Sequence, residues 1–271
     1  MNLLQALILG LVQGATEYIP VSSSAHLVLT PWLLGWPDAS FAFEVLVQLG
    51  TLVGVFIFFW RDIWTIVRAV LQGLVQRRPL HNFEAKLGWL IAAATVPAVA
   101  IGGLFKDYFE AAYSAPVFVG GLLILTAILL VGAEYFGSRQ RTLASWTWLD
   151  AVIVGLWQAA AILPGISRSG ATISGAVLRQ FDRPSAARFS FLMSIPVLLG
   201  AGAIALKDLL EAGALAAELP AISIGFIAAA VSGYACIRWL LRYLQRHSLY
   251  IFAVYCAAFS ALTIMVYLVR G

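Results

Sequence analysis

Apolar residues along this chain gather in sustained runs, such as 45–60, 87–105, 117–133 and 251–269. Each approaches the roughly 20 residues that a helix needs to cross about 30 Å of hydrocarbon. The pattern predicts six spans, near 41–60, 87–105, 116–136, 189–206, 221–238 and 249–269. Two further apolar regions are interrupted. Residues 2–35 are broken by Pro20-Val21-Ser22-Ser23-Ser24, and residues 150–180 by Pro164-Gly165-Ile166-Ser167-Arg168-Ser169-Gly170. At about 1.5 Å per residue neither half of the first region reaches across a bilayer. Each region is therefore expected to form a re-entrant hairpin of two half-helices, with protein or a watery cavity satisfying the irregular backbone.

The two broken regions resemble one another. Gly10-Leu11-Val12-Gln13 matches Gly155-Leu156-Trp157-Gln158 at an offset of 145, and Phe43, Gly54 and Arg61-Asp62 match Phe189, Gly200 and Lys207-Asp208 at 146. Residues 1–140 and 141–271 thus read as two repeats, each with one hairpin and three spans. Three is odd, so the second repeat must lie inverted relative to the first, a plan that brings paired broken helices together near the midplane. Loop charge agrees. With 61–86 inside, the inner segments collect thirteen of the basic residues, from Arg61 to Arg246, and the outer side only Lys106, Lys207 and Arg270. Both termini and the mouth of the first hairpin then face outward. The fold class expected is an all-α polytopic membrane protein.

Composition strengthens this reading: 62% of the 271 residues are hydrophobic and 11% charged, against about a quarter charged in a soluble domain. Trp and Tyr near the ends of runs fit the aromatic belts of a bilayer protein. The net charge of +4 is scattered through loops, so no nucleic-acid partner is expected. Cys236 and Cys256 lack metal-type spacing and read as packing residues. No Lys or Arg precedes Arg61, so a cleaved signal peptide is not expected.

Ionisable groups inside apolar segments default to function, and two stand out, Glu17 and Arg168. Their bland role would be a pair that holds the hairpins together. Gln13 and Glu17, four apart, share one helix face and offer hard oxygens suited to Mg²⁺ or Ca²⁺, with phosphate and water completing the shell. Ser22, Ser23 and Ser24 open the next half-helix. One of them suffices as a cap; three hydroxyls followed by His26 suggest a nucleophile and a general base, or a histidine that itself attacks phosphorus. In the second break, Gly165 and Gly170 permit close backbone approach and Ser167 or Ser169 starts a helix whose exposed N–H groups favour an anion. Arg168 adds a fork for phosphate oxygens, and Thr172 a hydroxyl one turn on. Metal ligands and a base in one hairpin, and a phosphate cradle in the other, suit phosphoryl transfer on a lipid with a phosphorylated head.

At these residues the sequence resembles the undecaprenyl-diphosphate phosphatase family, also known for bacitracin resistance. The motifs are Gln13-Gly14-Ala15-Thr16-Glu17 with Pro20 to His26, and Pro164 to Thr172, and the likeness runs through Phe43-Glu44 and Gln48-Leu49-Gly50 over essentially the whole chain. The resemblance implies hydrolysis of undecaprenyl diphosphate to the monophosphate, divalent-cation dependence, and a site open to the outer face of the bacterial inner membrane, where the carrier is recycled for envelope glycans. It also implies roles: Gln13 and Glu17 as the acidic-motif pair, Ser23 as nucleophile or positioning hydroxyl, His26 as base and Arg168 as clamp. Many members carry Glu where this chain has Gln13, and Ser24-Ala25 stands for the commoner Thr-Gly. An inverted-repeat flippase or transporter using the same cavity is the rival reading, lacking only a use for the nucleophile, base and arginine. The choice among Ser23, His26 and a metal-bound water as attacking group stays open at this point, as does self-association into a homodimer.

Overall fold

Helices account for every regular element that a computed structural model describes, over residues 1–105, 115–213 and 215–270. In chain order they are α1 (Leu3–Glu17), α2 (Ser23–Leu34), α3 (Phe41–Phe58), α4 (Trp60–Val75), α5 (Phe83–Leu104), α6 (Pro116–Phe136), α7 (Trp148–Ala160), α8 (Arg168–Leu178), α9 (Arg183–Glu211), α10 (Leu215–Tyr243) and α11 (Tyr250–Arg270). Six of them, α3, α5, α6, α9, α10 and α11, are long and apolar enough to cross a membrane. These are the six runs of the hydropathy pattern, although α9 and α10 each extend to 29 residues. Their polar ends continue the helix past the apolar stretch that marks them in sequence. Lys106, one of the outer-side charges, lies outside the described residues.

Large apolar side chains such as Ile57, Val96, Ile128 and Val254 are exposed along the spans. In a soluble protein that surface would be a liability; against lipid tails it costs nothing. The segment read as a loop between the first two spans contains α4. Trp60, Trp64, Val67 and Leu71 lie exposed along one face at helical spacing, while Ile66, Ala69 and Gly73 are buried. Interruption by Arg61, Asp62 and Arg68 hides this helix from a search for unbroken apolar runs.

Both interrupted regions form short helix pairs. α1 has 15 residues and α7 has 13, about 20 Å each, well short of the hydrocarbon thickness. Each lies along a span from the other half of the chain, α1 on α10 and α7 on α5, while α3 meets α9 and α6 meets α11. Close approach depends on small residues, since packing rather than water exclusion drives helix association in lipid. A Cβ on Gly14 would stand 2.5 Å from the Ala229 carbonyl oxygen, and one on Gly155 would stand 2.5 Å from that of Ala94. Neither glycine can be enlarged without pushing a half-helix off its support.

The far ends of α7 and α8 are pinned by charge. The enclosed Asp150 carboxylate accepts from Arg141 Nη2 at 2.6 Å and Arg179 Nε at 2.7 Å, and Trp146 stacks on both Phe181 and Phe189. This end of the bundle is built for rigidity, which leaves the breaks as fixed platforms rather than loose loops.

Candidate active site

Each break turns on one residue with positive φ, Ser22 at 71° and Gly165 at 101°. At Gly165 no side chain could fit, because a Cβ would run into the Val119 carbonyl. Ser22 adopts this geometry despite its Cβ, a strain of about 1–3 kcal/mol that its surroundings must hold. Its own groups help. The Ser22 hydroxyl caps α2 by accepting from Ala25 N–H at 3.4 Å, and its carbonyl oxygen lies 2.7 Å from His26 Nδ1.

The second break repeats this plan. Ser167 caps α8 by accepting from Gly170 N–H at 3.0 Å. Ser22 and Ser24 hydroxyls lie 3.2 Å apart, and so do those of Ser167 and Ser169. Every member of the second set stands 145 positions after its counterpart, and α2 and α8 begin at Ser23 and Arg168, the same interval. The contiguous motif match stops at Gln13 and Gln158; the hydrogen bonds extend the correspondence to Ser22 and Ser24 with Ser167 and Ser169, across intervening residues of unlike type.

Glu17 is the point where the two breaks meet. As the last residue of α1 it is 5% exposed. One carboxylate oxygen is ion-paired with the Arg168 guanidinium. The other accepts from Ser23 Oγ and from Gln13 Nε2, both at 2.6 Å. A carboxylate from α1, a hydroxyl from the first residue of α2 and a cation from the first residue of α8 therefore form one cluster. Further bonds lock the breaks together. Ser169 Oγ donates to the Glu17 and Ile19 carbonyls, and Gly165 N–H donates to Ser24 Oγ at 3.3 Å. Thr126 of α6 buttresses the second break, accepting from Ser167 N–H at 2.9 Å and donating to the Gly165 carbonyl.

A cavity of about 390 Å³ opens onto this cluster. The breaks give it polar walls, Glu17, Ser22, Ser23, Ser24, Ser167 and Arg168, whereas α3, α5 and α9 supply apolar ones, among them Val45, Ala98 and Leu198. Such a space suits a molecule with an anionic head and a hydrocarbon tail.

Other sequence candidates lie behind these walls. Thr172 donates to the Arg168 carbonyl at 2.8 Å and meets Ser190 Oγ at 2.6 Å, tying α8 to α9. Gly170 gives its N–H to the cap. His26 bonds neither Ser23 nor Glu17. Its Nδ1 lies on a carbonyl that can only accept, so Nδ1 carries the proton and Nε2, in the neutral ring, accepts from Tyr255 O–H at 2.7 Å. The ring also stacks on Phe259 with centroids 4.7 Å apart. The structure thus brings Gln13, Glu17, Ser23 and Arg168 together and leaves His26 bound to α11. Two polar cavity residues were not among the site candidates of the sequence, Gln48 and Gln158. For Gln158 a signal existed, because Gly155-Leu156-Trp157-Gln158 matches Gly10-Leu11-Val12-Gln13 in sequence.

Toward a metal, the arrangement offers hard oxygens. Gln13 Oε1 is buried without a partner among the described residues, beside the Glu17 carboxylate. No group of three His, Cys, Asp or Glu side chains among those residues could hold an ion. A hard divalent cation fits here if phosphate and water supply the remaining oxygens, as Mg²⁺ permits.

Residues 6–262 match the model of the bacitracin resistance protein BacA family. Proteins named undecaprenyl-diphosphatase are similar over nearly their full length. That of Chloroherpeton thalassium is 42% identical, covering 94% of this chain and 93% of its own. That of Thermomicrobium roseum is 42% identical over 98% of both chains, and that of Myxococcus xanthus 42% identical over 98% of this chain and 89% of its own. With a family match over nearly all its length and relatives of this similarity, the chain belongs to the bacitracin resistance protein BacA family.

Proposed function

We propose that this chain is an integral membrane phosphatase that hydrolyses undecaprenyl diphosphate to undecaprenyl phosphate and inorganic phosphate, with Glu17, Ser23 and Arg168 at the reacting centre. The relatives' shared name supports the reaction. The observation that carries the residue roles is the single carboxylate, Glu17, held by a hydroxyl from one break and a guanidinium from the other.

Substrate enters with its diphosphate against the starts of α2 and α8, whose N-terminal N–H groups and dipoles favour an anion. Arg168 turns its fork from Glu17 to the terminal phosphate oxygens, where charge grows in the transition state. Ser23 Oγ attacks the terminal phosphorus while its proton passes to Glu17. The bond from phosphorus to the bridging oxygen breaks, and Glu17 hands that proton to the departing lipid phosphate. Water then attacks the Ser23 phosphoester, Glu17 taking its proton and returning it to Ser23 Oγ, and inorganic phosphate leaves. His26, tied to Tyr255, holds the first turn of α2 by its bond to the Ser22 carbonyl. Ser22, Ser24, Ser167 and Ser169 order the two helix starts. Gln13 Oε1 and Glu17 would hold a divalent cation, Mg²⁺ or Ca²⁺, which when bound neutralises phosphate charge.

The paired breaks act as re-entrant hairpins of two inverted repeats, 1–140 and 141–271, a plan supported by the doubled caps and the reciprocal packing of α1 on α10 and α7 on α5. The basic bias of the inner loops supports a cavity mouth toward the outer face of the bacterial inner membrane, where the carrier would be recycled for cell-wall synthesis. A flippase for the same lipid would have no use for a serine hydroxyl poised on a carboxylate.

Purified protein in detergent should release one phosphate per undecaprenyl diphosphate, stop in EDTA and recover with Mg²⁺. Full turnover in EDTA would reject the cation, and absence of release with the cation present would reject the phosphatase.

A further inference from the structure

Gln13 and Gln158 occupy equivalent places in the two breaks, yet their surroundings differ. Gln13 gives its amide N–H to Glu17. The position equivalent to Glu17 is Ile162, which accepts nothing. Gln158 is 1% exposed, and both its Nε2 and its Oε1 are buried without a hydrogen-bond partner among the described residues. An amide enclosed in that state is costly unless something else completes it. It also lines the cavity, as do Ala161 and Ile162 just past the end of α7. The wall of the ligand space thus encloses a full donor and acceptor with no group among the described residues to meet them.

We infer that Gln158 binds the phosphate that stays on the lipid, donating Nε2–H to an oxygen of the phosphate nearest the prenyl chain. The place of Gln158 in the cavity and the substrate pose proposed above lead to this choice of ligand atom. In that pose Ser23 and Arg168, at the helix starts, engage the terminal phosphate. Gln158 stands one turn before the second break, beside the apolar wall contributed by Ala98 and Gly102 of α5. The phosphate bonded to the hydrocarbon is the part of the substrate that spans from reacting centre to apolar wall. Gln158 is thus a specificity-determining residue, recognising a diphosphate by its second phosphate and retaining contact with the monophosphate product. It takes no part in bond breaking. This assignment rests on the phosphatase reading for its kinetic consequences, though binding of the product lipid tests it alone.

Gln158→Met keeps length and linear shape but removes both hydrogen-bonding atoms, and Gln158→Glu keeps the shape and adds a negative charge. Loss of a hydrogen bond to a charged phosphate raises a dissociation constant at least about tenfold. In the full-length protein, Gln158→Met should raise KM for undecaprenyl diphosphate and the inhibition constant of undecaprenyl phosphate by that factor alike. Its kcat and the inhibition constant of inorganic phosphate should stay within about twofold of the parent, since the terminal-phosphate contacts survive. Melting temperature should hold or rise, because an apolar replacement relieves an unpaired amide. Gln158→Glu should weaken both lipids further. Unchanged lipid constants in the Met variant, or a fall in melting temperature with those constants intact, would mark Gln158 as a packing residue and overturn the proposal. A rise confined to inorganic phosphate would overturn the assignment to the lipid-borne phosphate. Should the parent protein release no phosphate at all, the phosphatase reading fails, and direct binding of undecaprenyl phosphate to the parent and Met variants still decides the role of Gln158.

Discussion

Helix α2 begins at Ser23 and helix α8 at Arg168, each capped by the serine before it and each braced by a second hydroxyl two residues beyond the cap. On this common frame the reactive groups differ at three places. The first break carries Glu17, Ser23 and His26 where the second carries Ile162, Arg168 and Ala171. In the proposed function the two helix starts both serve an oxyanion, and their differences leave nucleophile and base to one and charge to the other. A symmetric site with two carboxylates would repel a diphosphate, and one with two arginines would lack a base. In that reading the asymmetry makes the cluster reactive, while the doubled serine caps order both helix starts.

The comparison breaks most visibly at Ser23. If the first break owns the nucleophile, Ser23→Ala should lower kcat at least about a thousandfold while leaving undecaprenyl diphosphate binding close to normal. Turnover near the parent rate would transfer the attack to water. Arg168→Lys tests the second break: a point charge keeps the pairing with Glu17 but loses the planar fork, and the rate should drop by about a hundredfold. Full activity in the lysine variant would mean that α8 supplies charge alone. A smaller effect is expected at His26, which acts through the Ser22 carbonyl. His26→Gln can keep a donor there, so the rate should fall no more than about tenfold and its pH profile should keep its shape. Disappearance of a pH limb would restore His26 as the base. The smallest effect concerns Gln13. Gln13→Glu adds an anionic oxygen beside Glu17, and hard cations gain affinity with ligand charge, so half-maximal activity should need several-fold less Mg²⁺. Identical titration midpoints would place Gln13 away from any cation.

The six spans were legible because each is an unbroken apolar run, and the breaks because Pro20 and Pro164-Gly165 interrupt runs otherwise fit for a helix. Glu17 and Arg168 could be picked out as opposite charges set in apolar segments, and the structure pairs them. The link between Ser23 and Glu17 was legible only as proximity in sequence. Amphipathic α4 was missed, since its apolar face is discontinuous along the chain. His26 looked like a base from its place beside Ser23; its partner Tyr255 lies 229 positions away, and no local pattern reports such a contact. A serine cap was expected at each break, but the 145-residue correspondence between the two caps went unseen for a physical reason as well. Ser22 and Ser167 match in type, but the residues that follow, Ser23 and Arg168, share backbone geometry without sharing chemistry.

Glu17→Gln tests the whole arrangement most directly. The substitution keeps the shape and one oxygen to accept from Ser23 Oγ, but removes the basic charge on which both breaks converge. Measured as inorganic phosphate released from undecaprenyl diphosphate by purified protein at saturating Mg²⁺, the rate should fall at least about a thousandfold with the helical content intact. A glutamine variant that retains more than about a tenth of the parent rate would contradict the account, since Glu17 would then be neither the base for Ser23 nor the centre of the site.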